Sequence, residues 1–231
     1  MITLLIAPEE IDAPEIEVAG EAYRHLFRAR RTEVGETIRV VDGQGRARAG
    51  TVSRIERKSA RIALGAAVPT NEPAIRLTLL VPTLRPERAA WLVEKATELG
   101  VAAIRFLHTE RAPRTFGPGT LDRLRRVSAS ALEQCQGATL PTLDGPHEWS
   151  DLERLAKGAT ARWVLDPTGA AGFSQPGDLT DVALLVGPEG GLTAPELAMA
   201  IDLGFSPVSL GARILRIETA AVAGAAAVLL R

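Results

Sequence analysis

Three stretches near the start of the chain, TIRVVDG at 37–43, RARAGTVSRIER at 46–57 and SARIALG at 59–65, alternate apolar and polar residues. That period of two marks strands with one buried face. Asp42-Gly43 supplies a tight hairpin turn between the first two. The opening MITLLIAPEEIDAPEIE has a short apolar start, no basic segment before it and acids directly after it, so it reads as an edge strand and not as a signal peptide. Together these stretches predict a small half-buried β-barrel or sheet. VPTNEP at 68–73 places two prolines among polar residues, which predicts a boundary there and divides the chain into 1–70 and 74–231.

Beyond the boundary the pattern changes to strands alternating with helices. AIRLTLLVP at 74–82 leads to a helix over 86–99 that Gly100 ends. VAAIRFL then precedes a long helix from about 119 to 136. ARWVLDP at 161–167 runs into a Gly/Pro-rich loop, VALLV at 182–186 into a glycine turn, and PVSLG at 207–211 towards a final helix over 219–230. This order predicts an α/β fold with a mostly parallel sheet covered on both faces. The final helix is apolar on nearly every side, so it is expected to be buried around its circumference, with a second copy of the chain as cover.

Two glycine-bearing segments follow predicted strands, LLVGPEGG at 184–191 and SLGARILRIETAA at 209–221. Open α/β sheets bind ligands beyond the carboxyl ends of their strands. In the first segment, Thr193 and Glu196 stand in capping-box order with Pro195 in the first helical turn, so a helix starts directly after the glycines. A backbone this bare lets a ligand come close, although the same arrangement also serves simply to reverse the chain. In the second, Gly211, Arg213, Arg216 and Glu218 cluster before an apolar helix, a placement better explained by a site than by packing.

Composition narrows the classes. A chain of 231 residues with 46% hydrophobic content can build a sizeable core, which excludes disorder. Cys135 is the only cysteine and His25, His108 and His147 are scattered, so neither a disulfide nor a metal site is expected, and the cytoplasm is the natural compartment. No stretch is long enough to span a membrane. The net charge of −1 excludes coating nucleic acid through bulk charge, but the charges are uneven. Residues 24–72 carry eleven basic residues against five acids, and residues 105–126 carry six arginines against two acids. Such patches suit phosphate contact at one structured site. The plain alternative is a chain that uses arginine for lysine throughout, 24 to 3.

VGPEGGLT, LGARILRIETA, EKATELGV and LEQC, behind a β-rich N-terminal part, resemble the bacterial 16S ribosomal RNA uridine-N3 methyltransferase family of the SPOUT superfamily. The resemblance spans essentially the whole chain. It implies an N-terminal PUA-like barrel for RNA, a C-terminal SPOUT domain with a deep trefoil knot that holds S-adenosylmethionine, and a homodimer. Topology rules alone would exclude a knot. It further implies that Leu165, Gly187, Pro188, Gly190, Gly191, Leu210, Gly211, Ile214 and Leu215 hold the cofactor, with the loop after Leu165 as a third wall. Each of Leu165, Leu210, Ile214 and Leu215, taken in isolation, is more often core than a cofactor contact. Three positions depart from the family pattern. Ala29-Arg30-Arg31 replaces Val-Leu-Arg, no arginine stands between Gln134 and Leu140-Pro141, and Ile217 replaces the threonine of Arg-Thr-Glu-Thr.

Methyl transfer to uracil N3 needs alignment and removal of the N3 proton, with no metal. A carboxylate plus an arginine would serve, the arginine offsetting charge on the carbonyl oxygens. Arg216 is the expected orienter and Glu189 or Glu218 the carboxylate. The structural alternatives weigh more for each alone: Glu218 caps and complements a helix N-terminus, and Glu189 holds its loop through backbone N–H groups. His25, Arg28, Arg31, Arg111 and Arg114 are the expected RNA contacts, each of which alone also reads as a solvated charge. The expected partner is small-subunit ribosomal RNA, free or in the assembled subunit. Two other classes stay open: an enzyme that cradles a nucleotide or phosphate in the glycine turn, although no phosphate-loop motif is present, and a non-catalytic RNA-binding module.

Overall fold

The alternating stretches near the N-terminus form a five-stranded sheet of β1 (Thr3–Leu5), β2 (Glu15–Ala19), β3 (Thr37–Val41), β4 (Ala47–Ile55) and β5 (Ser59–Ala67). The structure is a computed structural model describing residues 2–29, 31–113, 116–173 and 179–230. The strand order is β1-β3-β4-β5-β2, with β1 parallel to β3 and the other pairs antiparallel. The N-terminal run is therefore the edge strand its sequence implies. A short helix α1 (Gly20–Tyr23) continues into a π-helical turn, Arg24–Ala29. Inward-facing Ile16, Val18, Ile38, Val40, Val52 and Ile62 pack with Tyr23 and Leu26. Gly50 is required at the centre, because a Cβ there would come within 2.8 Å of both Val40 and Ile62. The acid-rich EIEVA gives β2 no clear strand signal in sequence, although its burial alternates strictly.

Residues 42–46 join β3 to β4 as a wider turn than the two-residue hairpin expected. The Asp42 carboxylate fills it, accepting from the N–H groups of Gln44 and Arg46 at 2.8 and 3.0 Å and from Arg46 Nε at 2.6 Å. Burial by itself raises the pKa of Asp42, but the Gln44 N–H, the Arg46 guanidinium and the Arg46 N–H together outweigh it and hold the carboxyl below its ordinary value.

The chain divides into two compact units, Met1–Glu72 with Ala129–Leu140, and Pro73–Ser128 with Pro141–Arg231. Residues 129–140, which sequence order assigns to the C-terminal domain, pack with the first. Glu133 Oε1 accepts from the N–H of Leu5 at 2.9 Å, Glu72 Oε1 accepts from that of Ala138 at 2.6 Å, and Leu132 and Ala138 join Val41 and Ala47 in one apolar cluster.

The second unit contains β6 (Arg76–Pro82), α2 (Pro86–Glu98), β7 (Ala103–Leu107), the first half of α3 (Thr120–Cys135), β8 (Thr142–His147), α4 (Leu152–Leu155), β9 (Ala161–Ala171), β10 (Asp181–Val186), α5 (Ala194–Asp202), β11 (Ser206–Ser209) and α6 (Ile217–Leu229). Its six strands are all parallel, in the order β11-β9-β10-β6-β7-β8. Successive residues face opposite sides. Leu79, Val81, Leu184 and Val186 pack with α2, α3 and α6, whereas Leu80, Ala183 and Leu185 pack with α4 and α5. Both faces are covered, as the near-continuous apolar strands require.

One expectation changes. β9 continues to Ala171, past the loop expected after Pro167. Pro207 and Val208 of β11 are consecutive, yet their β9 partners are Val164 and Ala170, so Leu165 to Gly169 bulge out as five residues. The last helix is not buried all round within the chain. Ile217, Ala221, Gly224, Ala225 and Val228 face the sheet, while Thr219, Ala223, Ala227 and Leu230 are exposed, Leu230 by 71%. A helix in an outer layer has only one face against the sheet. Among the described residues no helix is long and apolar enough to cross a membrane.

Candidate active site

The ends of β10 and β11 and the bulge of β9 between them surround one cavity of about 290 Å3 in the second unit. The bulge after Val164 contributes Leu165, Asp166 and Pro167, the turn after β10 contributes residues 187–192, and the segment after β11 contributes Leu210, Gly211, Arg213, Ile214 and Leu215. All nine residues expected to hold a cofactor line it: Leu165, Gly187, Pro188, Gly190, Gly191, Leu210, Gly211, Ile214 and Leu215. Leu192 and Val208 also line it, outside the two glycine segments and the loop after Leu165. Strand ends signal a site, but which neighbours converge there depends on strand order.

Local chemistry shapes each wall. Asp166 Oδ1 accepts from Thr168 N at 2.8 Å and Oγ1 at 2.6 Å, which turns the bulge. Gly191 N donates to Pro188 O at 2.8 Å, closing a four-residue turn, and Gly191 has φ +72°, where a side chain would be strained. Past the turn the expected capping box forms. Thr193 Oγ1 accepts from Glu196 N at 3.4 Å, and Glu196 Oε2 accepts from Thr193 N at 2.8 Å. The buried Glu196 also accepts the Glu110 N–H at 2.8 Å, so the start of α5 holds the segment after β7. In β11, Ser209 Oγ accepts from Gly211 N at 3.2 Å. The resulting walls are glycine backbone with leucine and isoleucine side chains, and Ile214 is 84% exposed. Apolar walls beside backbone bare of side chains suit a flat heteroaromatic ring, and the volume lies near the lower end of the roughly 300–1,000 Å3 typical of small-molecule sites. The site fits the adenosyl part of S-adenosylmethionine on that ground.

The expected catalytic residues separate. Glu189 lines the cavity, whereas Arg216 and Glu218 do not. Arg216 is exposed at the N-cap of α6, and its side chain makes no hydrogen bond or ion pair among the described residues. α6 begins two residues earlier than expected, which puts Glu218 in its first turn with the side chain only 10% exposed. Arg88 of α2, absent from the residues expected at the site, joins the two carboxylates. Its Nη1 donates to Glu189 Oε1 and its Nε lies 3.7 Å from Glu218 Oε1. No local pattern distinguishes this arginine from the others, since Glu189 is 101 positions away.

Among the expected RNA contacts, Arg111 donates from Nη1 to the Gly190 carbonyl at 2.5 Å, beside the cavity. His25 and Arg31 are exposed in the first unit, and Arg31 has φ +59°. The Arg28 side chain and Arg114 lie outside the described residues. Lys95 of the EKATELG motif donates to Glu94 and Glu98 at 2.8 and 2.7 Å. First Glu94 and then Glu98 raise its pKa, so it is engaged within its own helix.

Residues 70–229 match the family described as RNA methyltransferase domain, and residues 18–64 the one described as RNA methyltransferase PUA domain. A ribosomal RNA small subunit methyltransferase E of Mycobacterium bovis is 31% identical over 230 residues, covering 91% of this chain and 84% of the relative. A Legionella pneumophila protein solved with bound S-adenosylmethionine superposes with a TM-score of 0.86 at 28% identity, covering 97% of this chain and 95% of the other. A ribosomal RNA small subunit methyltransferase E of Neisseria gonorrhoeae, also solved with S-adenosylmethionine, gives 0.84 at 26% identity, with 98% and 96% covered.

Proposed function

Because the chain belongs to the ribosomal RNA small subunit methyltransferase E family, we propose that it transfers a methyl group from S-adenosylmethionine to N3 of a uridine in 16S ribosomal RNA, in the cytoplasm. The observation that carries this reading is the convergence of the nine expected cofactor residues, from three separate segments, on one cavity at the bulge of β9 and the carboxyl ends of β10 and β11. In the same reading these segments form a trefoil knot, and the first unit is the PUA-like RNA-binding domain.

Bound S-adenosylmethionine supplies a methyl group activated on a sulfonium. The residues of the chain do the rest. Leu165, Leu210, Ile214 and Leu215 would grip the adenine, and the bare backbone of Gly187 to Gly191 and of Gly211 would let the rest of the cofactor come close. Glu189, the carboxylate at the cavity, takes the N3 proton of a uridine turned out of its stack. Arg216, exposed and without a side-chain hydrogen bond or ion pair among the described residues, offsets the negative charge that the uracil carbonyl oxygens then gain. Glu218 has the structural role its helix position suggests. His25, Arg28, Arg31, Arg111 and Arg114 contact RNA phosphates and hold the substrate in register.

Calorimetric titration with S-adenosylmethionine, ATP and GTP separates the classes. Saturable binding of the methyl donor alone, with methyl transfer to 16S RNA or small subunits, is the expected result. Binding of a triphosphate points instead to a nucleotide enzyme, and RNA affinity without cofactor affinity to a non-catalytic module.

The homodimer is part of the same proposal. α2 and α6 pack side by side, and their outer faces expose Trp91, Ala223, Ala227 and Leu230, a surface suited to a second copy. Light scattering should give twice the 24.5 kDa chain mass, and Trp91→Glu with Leu230→Glu should shift it to one. A wild-type protein that scatters as a monomer removes the dimer.

A further inference from the structure

Arg88 touches both carboxylates that the chemistry singles out, and it lies on neither of their elements. Its Nη1 donates to Glu189 Oε1 in the turn after β10, and its Nε lies 3.7 Å from Glu218 Oε1 in the first turn of α6. The far oxygen of Glu218, Oε2, is buried with no hydrogen-bond partner among the described residues. A buried carboxylate left with so few partners persists only where a nearby cation offsets its charge, and Arg88 is the cation there. Among the described residues, the turn that carries Glu189 has few other holds: Gly190 and Gly191 have no side chains, and the Gly191 N–H bonds Pro188 O while Arg111 bonds Gly190 O. Arg88 does not line the cavity, whereas Glu189 does.

We infer that Arg88 is a positioning residue, which sets the place of Glu189 at the cavity by tying the Pro-Glu-Gly-Gly turn to the start of α6. The inference rests on the methyltransferase reading and adds to it a residue that acts through Glu189. Arginine suits the task because a planar fork reaches two carboxylates at once, which the single ammonium of lysine does not.

The test is a double-mutant cycle on methyl transfer to 16S RNA, with Arg88→Ala, Glu189→Gln and the pair, alongside calorimetric S-adenosylmethionine binding and thermal melting. Each single change is expected to lower kcat about ten-fold or more, and the pair to be no slower than the slower single, since residues of one ion-pair network do not act additively. Arg88→Lys should recover only part of the loss, and it replaces Arg88→Ala in the cycle if that variant does not fold. Effects that multiply in the pair, or an Arg88 variant with unchanged kcat, overturn the inference. A wild-type protein that neither binds S-adenosylmethionine nor transfers methyl overturns the functional reading itself, a different outcome from an active enzyme with an additive cycle.

Discussion

Replacing Arg216 with Ala should reduce methyl transfer on the order of a hundred- to a thousand-fold, the loss typical of removing one group that stabilises developing negative charge. S-adenosylmethionine affinity should stay close to that of the unaltered protein, because Arg216 does not line the cavity. The melting temperature should also change little. The side chain is exposed and unengaged among the described residues, and the N-cap contact it provides comes from its backbone, whose carbonyl accepts from Ala220 N at 2.8 Å. This combination is informative because a structural arginine would show the opposite pattern, a lowered melting temperature with kcat retained. Single-turnover transfer beside calorimetry reads both quantities. Turnover within two-fold of the unaltered enzyme would remove Arg216 from the mechanism and leave the uracil charge to another group.

The second large effect is expected at a residue without a side chain. Gly169 ends the bulge of β9 where that strand rejoins β11, and a Cβ there would lie 2.5 Å from the carbonyl carbon of Pro207 and closer still to the nitrogen of Val208. Both obstacles are backbone, so no rotamer change relieves them. Gly169→Ala should therefore force β9 and β11 apart at a cost of about 1–3 kcal/mol or more. The walls that carry Leu165 and Leu210 come from these two strands. S-adenosylmethionine affinity should accordingly fall about ten-fold or more, since each 1.4 kcal/mol is a factor of ten. Thermal melting with cofactor titration reads both effects, and Gly172→Ala is the comparison. Gly172 lies just beyond the strand with open space around its Cβ, so the Ala variant there carries only the strain of its positive φ of +76°. Equal effects at 169 and 172 would mean that close approach of the strands is not what Gly169 provides.

Much of the cavity is legible in the amino-acid sequence because its determinants are local. A glycine turn after an apolar strand, a capping box at Thr193 and Glu196, and a second glycine at Gly211 each occupy a few consecutive residues, and each carries its own backbone chemistry. The strands β1, β3, β4, β5, β6, β7, β10 and β11, the first part of β9 and the helices α2, α3, α5 and α6 follow for the same reason, from periodicity and end signals within one segment. Local rules also fail in identifiable ways. The acids of EIEVA mask β2, whose outward Glu15 pairs with Arg61 at 3.3 Å across the sheet. In β8, TLDGPH is short and contains both Gly and Pro, so it carries no strand signal of its own and is ordered by parallel pairing with β7.

Amino-acid order alone determined the alternation of elements, the glycine segments and the residue types that can line an adenosyl pocket. Tertiary structure decided the rest. Strand order brought β11 and β10 to opposite sides of β9, so that three segments share one cavity. Packing moved residues 129–140 into the first unit through Glu72 and Glu133, and left one face of α6 exposed. It also separated Glu189 at the cavity from buried Glu218, and joined both through Arg88. The physical reason is range. Backbone preference and side-chain period act within a turn or two of the chain, whereas an ion pair that spans 101 positions exists only once the whole sheet has ordered the segments between.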